Sequence, residues 1–345
     1  YRINSEDISD CRRFFYEQLK DRIAGLDEYQ AAVEINYWCV EHATYEMADD
    51  RTAGPMTMYR SGKGRCGEES TFTVTALRSV GLAARQVYTP RWAHCDDNHA
   101  WVEVWVNGEW HFLGACEPEE KLDRGWFTGP AGQALLIHSR TFGDYAAGKR
   151  EEVIGRDGAV VCHNVTASYT KTRKLRIQVR KQDNTLAAHA QVSVEILNMA
   201  EYFPAAVLET DEQGEISIRL GLGDIRLQAR SEGKFVERYC NLAEDGVGAA
   251  DADCAVTLVL KDSEAGMKDA LSGVSACGWH FAKLCAPKEV VVRESVLSEE
   301  EVSRGTRRLA DAVKLREERF DQLTRHAIAV HPEEEERMRE RMQRS

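Results

Sequence analysis

One thiol and one imidazole in this sequence stand where they could do chemistry. Cys66 lies in Gly64-Arg65-Cys66-Gly67-Glu68-Glu69, between a glycine-containing loop and the start of a predicted helix. A thiol at a helix N-terminus feels the positive end of the helix dipole, which favours the nucleophilic thiolate. The bland alternative, a buried structural cysteine, fits that position less well. His99 opens the alternating run His99-Ala100-Trp101-Val102-Glu103-Val104-Trp105, which leads into Asn107-Gly108, a strong hairpin signal. Taken alone, a histidine that begins a strand is more often a satisfied surface or core residue. The hairpin adds information. If 106 faces 109 across a two-residue turn, then 101 faces 114 and 99 faces 116. Alternation then puts His99, Trp101, Glu103, Gly114 and Cys116 on one face. Positions 114 and 118, diagonal to His99, are where a group orienting the imidazole is expected. His94, Cys95, His99 and Cys116 are ligand types that zinc takes, but their spacing matches no recurring zinc module, so no metal or other cofactor is expected. Arg65, beside the thiol, reads either as a substrate anchor or as a solvated arginine.

The elements that must position these groups follow from periodicity. Residues 5–48 read as helical, with Phe14, Phe15, Leu19, Ile23 and Leu26 at three- and four-residue spacing. Asp27 and Gln30 form a capping-box signature ahead of a second helix. Phe72, Leu77 and Val80 suit a buried helix after Cys66, which Gly81 ends. From 165 to 262 the texture is β throughout. Leu175, Ile177 and Val179 alternate, as do Val192, Val194 and Ile196, then Ile216, Ile218 and Leu220, then Ile225, Leu227 and Ala229. About seven short strands there predict an antiparallel sandwich. Residues 263–293 are ambiguous. Ser298 to Arg325 reads as a charged, solvated helix that is free to dock another domain or subunit, and Glu333 to Arg344 continues helical in character.

Three blocks carry a resemblance: Gly64-Arg65-Cys66-Gly67-Glu68, Leu77 to Arg85, and Asp97-Asn98-His99-Ala100-Trp101-Val102-Glu103-Val104. They resemble the transglutaminase-like superfamily over about residues 55–120, and the cytosolic peptide:N-glycanase branch is especially similar over the Cys66 motif. The resemblance implies a papain-like core in which Cys66 is the nucleophile and His99 its partner. It also implies an aromatic-lined cleft near the histidine, for which Trp92 or Trp101 are the candidates. The family's third member, an Asp after the returning strand, has no direct counterpart, because Gly114 stands in its place. Glu117 is the nearest acid. Regular pleating points it to the opposite face, and a bulge at Gly114 would turn it inward. Asp97 is a second candidate. The 164–262 region is similar to the transthyretin-like or immunoglobulin-like modules found beside many bacterial catalytic domains.

The expected architecture is therefore α+β. It comprises N-terminal helices (1–52), a transglutaminase-like core (53–163), a β-sandwich (164–262) serving as spacer or binding module, and a linker with a charged helical tail (263–345). The expected activity is acyl transfer from an amide through a thioester, with peptide or amide hydrolysis favoured. A cross-linking transglutaminase and a non-enzymatic scaffold are the alternatives. Composition agrees. The 345 residues carry a net charge of −12, which speaks against general nucleic-acid binding, and no apolar run is long enough to span a membrane. The ten cysteines form no C-x-x-C pair, so neither a disulfide scaffold nor a zinc ribbon is expected. The chain opens at Tyr1 and reads as an excised or processed piece, which leaves the compartment open. A thiolate nucleophile tilts the expectation towards a reducing, cytoplasmic one.

Overall fold

The helical periodicity of the first eighty residues is realised in a computed structural model that describes residues 2–47, 52–143, 145–148, 151–243, 253–262 and 294–330. α1 (Arg12–Leu19) buries Phe15 and Leu19. It stops well before Ile23 and Leu26, which are no longer buried, so no packing holds further turns. α2 (Glu28–Val40) begins with the expected capping box. Gln30 N donates to Asp27 Oδ1 at 2.8 Å, and Asp27 N donates back to the Gln30 side chain at 3.4 Å. Next come β1 (Thr44–Tyr45), α3 (Pro55–Ser61), β2 (Lys63–Gly64), which pairs with β1 in parallel, and α4 (Cys66–Ser79). Gly81, at φ +97°, follows the end of α4 as its sequence position predicts.

The strands follow in order: β3 (Ala84–Thr89), β4 (His99–Val106), β5 (Glu109–Leu113), then the short α5 (Thr128–Ala131), β6 (His138–Phe142), β7 (Glu152–Asp157) and β8 (Val160–Asn164). The sandwich consists of β9 (Thr172–Arg180), β10 (Gln191–Asn198), β11 (Glu201–Glu209), β12 (Glu215–Gly221), β13 (Asp224–Ser231), β14 (Lys234–Asn241) and β15 (Cys254–Val259). Its sheets run β11–β10–β13–β14 and β12–β9–β15. Leu175, Ile177, Val192, Val194, Leu227 and Ala229 lie in one buried cluster, so the alternation read from the sequence marks the inner faces. One pairing departs from the all-antiparallel expectation: β15 runs parallel to β9. Parallel neighbours need a crossover rather than a hairpin, and β10 to β14 lie between these two in the chain. The last element is α6 (Glu299–Val330). The ambiguous segment 263–293, the helical reading of 333–344, and Cys277 and Cys285 fall outside the described residues. The other eight cysteines are free thiols. Among the described residues no helix is long and apolar enough to cross a membrane.

Contacts divide the chain into two compact units that interleave along the sequence. A helical unit comprises Asn4–Ala84, Trp101–Arg124 and Ser295–Ser345, and a strand unit comprises Tyr1–Ile3, Arg85–Ala100 and Gly125–Glu294. The four consecutive segments expected from composition are therefore not the compact units. Within the strand unit the reason is visible: Asn164 Nδ2 donates to Arg219 O at 2.6 Å, and Asn198 Nδ2 donates to Trp92 O at 3.0 Å. These bonds join the sandwich to the loop before His99 and to β8. Within the helical unit, α6 binds its own chain. Arg308 reaches Glu34 and Glu120, and Arg319 donates to Tyr59 O at 2.6 Å.

Candidate active site

Cys66 is the first residue of α4 and is half-buried. The chain reaches it through a tight approach at Gly64, where an added Cβ would lie 2.7 Å from both Glu68 Cβ and Met58 Sδ. Glu68 fixes the helix start by accepting from Arg65 N at 2.8 Å. The Arg65 guanidinium also bonds Glu68, at 3.0 Å, so much of its reach is spent on the helix end.

The β4–β5 hairpin has the expected register. Val102 faces Leu113, Glu103 faces Phe112 and Val104 faces His111 across a turn with Asn107 at φ +53° and Gly108 at φ +84°. The ladder stops there. Gly114 makes an isolated antiparallel bridge with Glu117, and Cys116 adopts φ +56°. Cys116 therefore leaves the strand rather than continuing opposite 99; it is buried, with Thr73 Oγ1 at 3.8 Å. This tight reversal brings Glu117 back over Gly114. A Cβ added at Gly114 would lie 2.8 Å from Glu117 Oε2 and 2.9 Å from Glu117 Cβ. The carboxylate of Glu117 thus occupies the space that a side chain at 114 would fill. Asn36 Nδ2 holds the reversal by donating to Gly114 O at 2.7 Å. Glu69, 4% exposed on α4, belongs to the same neighbourhood. Burial, reinforced by the negative charges of Glu117 and Glu68, pushes its carboxyl up to about 9, so it is protonated at neutral pH.

In the strand unit, His99 is 8% exposed. Its ring lies against Trp92 (6.2 Å between centroids, 26° between planes), Trp126 (4.8 Å) and Phe127 (5.2 Å). This apolar surround pushes the imidazole down to about 4, which leaves it neutral at pH 7. Trp92 and Trp101, the sequence candidates for a cleft, are 2% and 0% exposed; the exposed indole against His99 is Trp126, at 59%. Asp97 bonds the backbone N of Asn98 at 2.7 Å.

Four features escaped the sequence reading. Trp126 and Glu69 carry no motif. His111 and Asp123 form a close pair, Nδ1 to Oδ2 at 2.6 Å, with Phe112 N donating to Asp123 Oδ1 at 2.9 Å. A second thiol–imidazole pair, Cys162 Sγ to His138 Nδ1 at 3.6 Å, is chemically quiet. Burial pushes the thiol up to about 11 and the imidazole down to about 3, so both stay neutral. Among the described residues, no three His, Cys, Asp or Glu side chains gather as metal ligands.

A search of curated proteins finds no match. Among solved structures, a candidate cysteine protease from Cytophaga hutchinsonii is similar at 17% identity and a TM-score of 0.27, with 31% of this chain and 36% of that chain covered. A candidate protease from Parabacteroides distasonis is similar at 15% identity and a TM-score of 0.30, covering 38% of this chain and 26% of that one. Catechol 1,2-dioxygenase from Acinetobacter sp. ADP1 is similar at 12% identity and a TM-score of 0.21, covering 27% and 53%. This chain therefore spans only part of each neighbour, and TM-scores this low establish neither a shared fold nor an activity. The sequence match is more direct: residues 17–115, which contain Cys66, His99, the hairpin and Gly114, match the transglutaminase-like superfamily, and this segment of the chain is transglutaminase-like.

Proposed function

We propose that the chain is a cysteine-nucleophile enzyme acting on amide bonds through a thioester, with peptide or amide hydrolysis as its reaction. Cys66 is the nucleophile, His99 the base and acid, and Glu117 the group that orients the imidazole. The observation that carries this reading is the carboxylate of Glu117 in the space beside Gly114. The family's acid is missing at 114, and an acid three residues on occupies the vacated volume. That acid supports the enzyme reading over the scaffold alternative, which drew its support from the missing acid at 114.

The steps follow from the groups. Neutral His99 takes the proton of the Cys66 thiol, and the sulfur attacks the amide carbon while the carbonyl electrons move to oxygen. The backbone N–H of Cys66, at the positive end of the α4 dipole, donates to that oxyanion. His99 then gives its proton to the leaving nitrogen and the C–N bond breaks, leaving a thioester. Water, deprotonated by His99, attacks the thioester and frees the acid, and the proton returns to sulfur. Transfer to an amine instead of water would make the same centre a cross-linker. A thiol that must stay reduced fits a reducing compartment.

The test is turnover of a mixed peptide and carboxamide library by the full chain and by Cys66→Ala. The variant is expected to lose more than about a thousandfold. Undiminished turnover by Cys66→Ala would overturn the reading.

A further inference from the structure

The sandwich sits in the same compact unit as His99, and its β10–β11 turn is bonded to the loop that delivers the histidine. We infer that this turn positions His99, with Asn198 as the positioning residue. The inference rests on the reading of His99 as the catalytic base.

Asn198 ends β10 and is 3% exposed. Its Nδ2 donates to Trp92 O at 3.0 Å and to Cys95 O at 2.7 Å. The next residue, Met199, donates its backbone N to Asp96 Oδ1 at 2.7 Å. The loop closes on itself through Trp92 N to Asp97 O at 2.9 Å and Asp97 N to Cys95 O at 2.9 Å. Flanking these bonds, the Arg91 guanidinium lies 3.9 Å from the centroid of the Phe203 ring on β11. His94, Cys95, Asp96 and Asp97 are all exposed, so this stretch has little apolar burial of its own to fix its shape. Its shape comes from the hairpin, and the residue so held, Trp92, is the ring stacked on His99.

The turn itself carries the mark of an imposed conformation. Met199 at φ +52° and Ala200 at φ +58° are both left-handed, where Asn-Gly would be the relaxed choice. Such strain persists where the surroundings determine the backbone. Here the surroundings are the three hydrogen bonds from Asn198 and Met199. The sandwich is thereby part of the support for the base rather than a spacer behind it.

The test uses the full chain with Asn198→Ala and Asn198→Asp; the second keeps the shape and removes the donors. Diethyl pyrocarbonate modification, mapped by peptide mass, reads each histidine separately. In the native protein buried His99 is expected to react slowly and exposed His94 quickly. In both variants His99 is expected to react about tenfold faster while His138 stays slow, since only the local loop opens. Alkylation of Cys66 by iodoacetamide at pH 7 is expected to slow about tenfold as the base loses its geometry. A purely structural loss would instead expose all buried histidines together. Should both variants fail to fold, Asp96→Ala, at an exposed residue, removes only the acceptor for Met199 and is expected to speed His99 modification about threefold. Unchanged His99 reactivity in the folded variants overturns the inference. The catalytic reading fails separately, if native Cys66 is alkylated no faster than Cys66 in His99→Ala.

Discussion

The sandwich and the Gly114–Arg124 segment of the helical unit are held together by different means. In the sandwich, two sheets close on one apolar cluster, and backbone ladders satisfy the N–H and C=O groups. The Gly114–Arg124 segment has no regular structure, so side chains from elsewhere satisfy it. Asn36 holds Gly114 O, Tyr37, Arg304 and Arg308 converge on Glu120, and Tyr29 OH accepts from Leu122 N at 2.9 Å. Asp123 takes His111 and Phe112 N. The first arrangement spreads its stability over many interchangeable contacts. The second concentrates it in single polar residues whose strength depends on charge. Glu117, the acid proposed to orient His99, sits in the second.

The largest effect is expected in the core of the first region. Leu227→Ala, at a fully buried position, should destabilise the sandwich by about 3 kcal/mol, read from hydrogen exchange of the β13 amides. That loss should be independent of salt and pH; a strong salt dependence would break the contrast. Next comes Gly114→Asp, which restores the family's residue but drives Cβ into Glu117. Amide turnover should fall by about a hundredfold, and Gly114→Asp with Glu117→Ala should recover part of it, because one carboxylate then fits where two cannot. A harmless Gly114→Asp would mean that Glu117 does not depend on that space.

Glu120→Ala should cost less, about 2 kcal/mol, because Arg304 and Arg308 are partly exposed and can turn to water. Burial alone would raise the Glu120 carboxyl. The hydrogen bonds from Arg304 and Tyr37, with Arg308 beside them, outweigh burial and hold it below the usual carboxylate value. A depressed carboxyl contributes stability above its unfolded pKa and loses it as pH falls through the folded one. Urea titrations of native chain and variant should therefore converge in acid, below about pH 4. A gap that persists there would show that shape, not charge, holds the segment.

How much of each region the sequence revealed follows from the same contrast. Alternation is a local signal, so the inner faces of β9, β10, β12 and β13 could be read directly, and the Asn107-Gly108 turn set the β4–β5 register. Cys66 at the head of α4 was equally legible, because glycine followed by a helical pattern lies within one turn of it. The reversal at Gly114 was open only as a possibility, because a left-handed Cys116 has no sequence signature. Trp126 against His99, Asn198 under Trp92 and Glu120 under α6 join residues that lie about 30 to 190 apart in the chain. No periodicity encodes such pairs. The interleaving of the two units has the same origin: hydrogen bonds from the sandwich to the 92–96 loop outrank chain order.

A last comparison separates the regions by pH. Glu69 ionises near 4.5 when unfolded but holds its proton to about 9 in the folded chain, first through burial and then through Glu117 and Glu68. Between those values the folded form binds the extra proton, so its contribution is complete below pH 4.5 and is lost as pH rises towards 9. The buried histidines work in the opposite sense. His42 and His99 are pushed down to about 4 by burial, so the unfolded chain binds their protons first and stability falls as pH drops from about 6.5 to 4. The protein should thus be most stable between these limbs, and only the alkaline limb belongs to Glu69. Glu69→Gln, neutral at every pH, should match the native chain below pH 4.5 and gain on it steadily as pH rises towards 9. Parallel stability curves over that range would show that Glu69 is already ionised. In that case the carboxylate of Glu117 would face a charge rather than a neutral acid, and the polar segment would lose the arrangement that lets a half-buried carboxylate stay beside another acid.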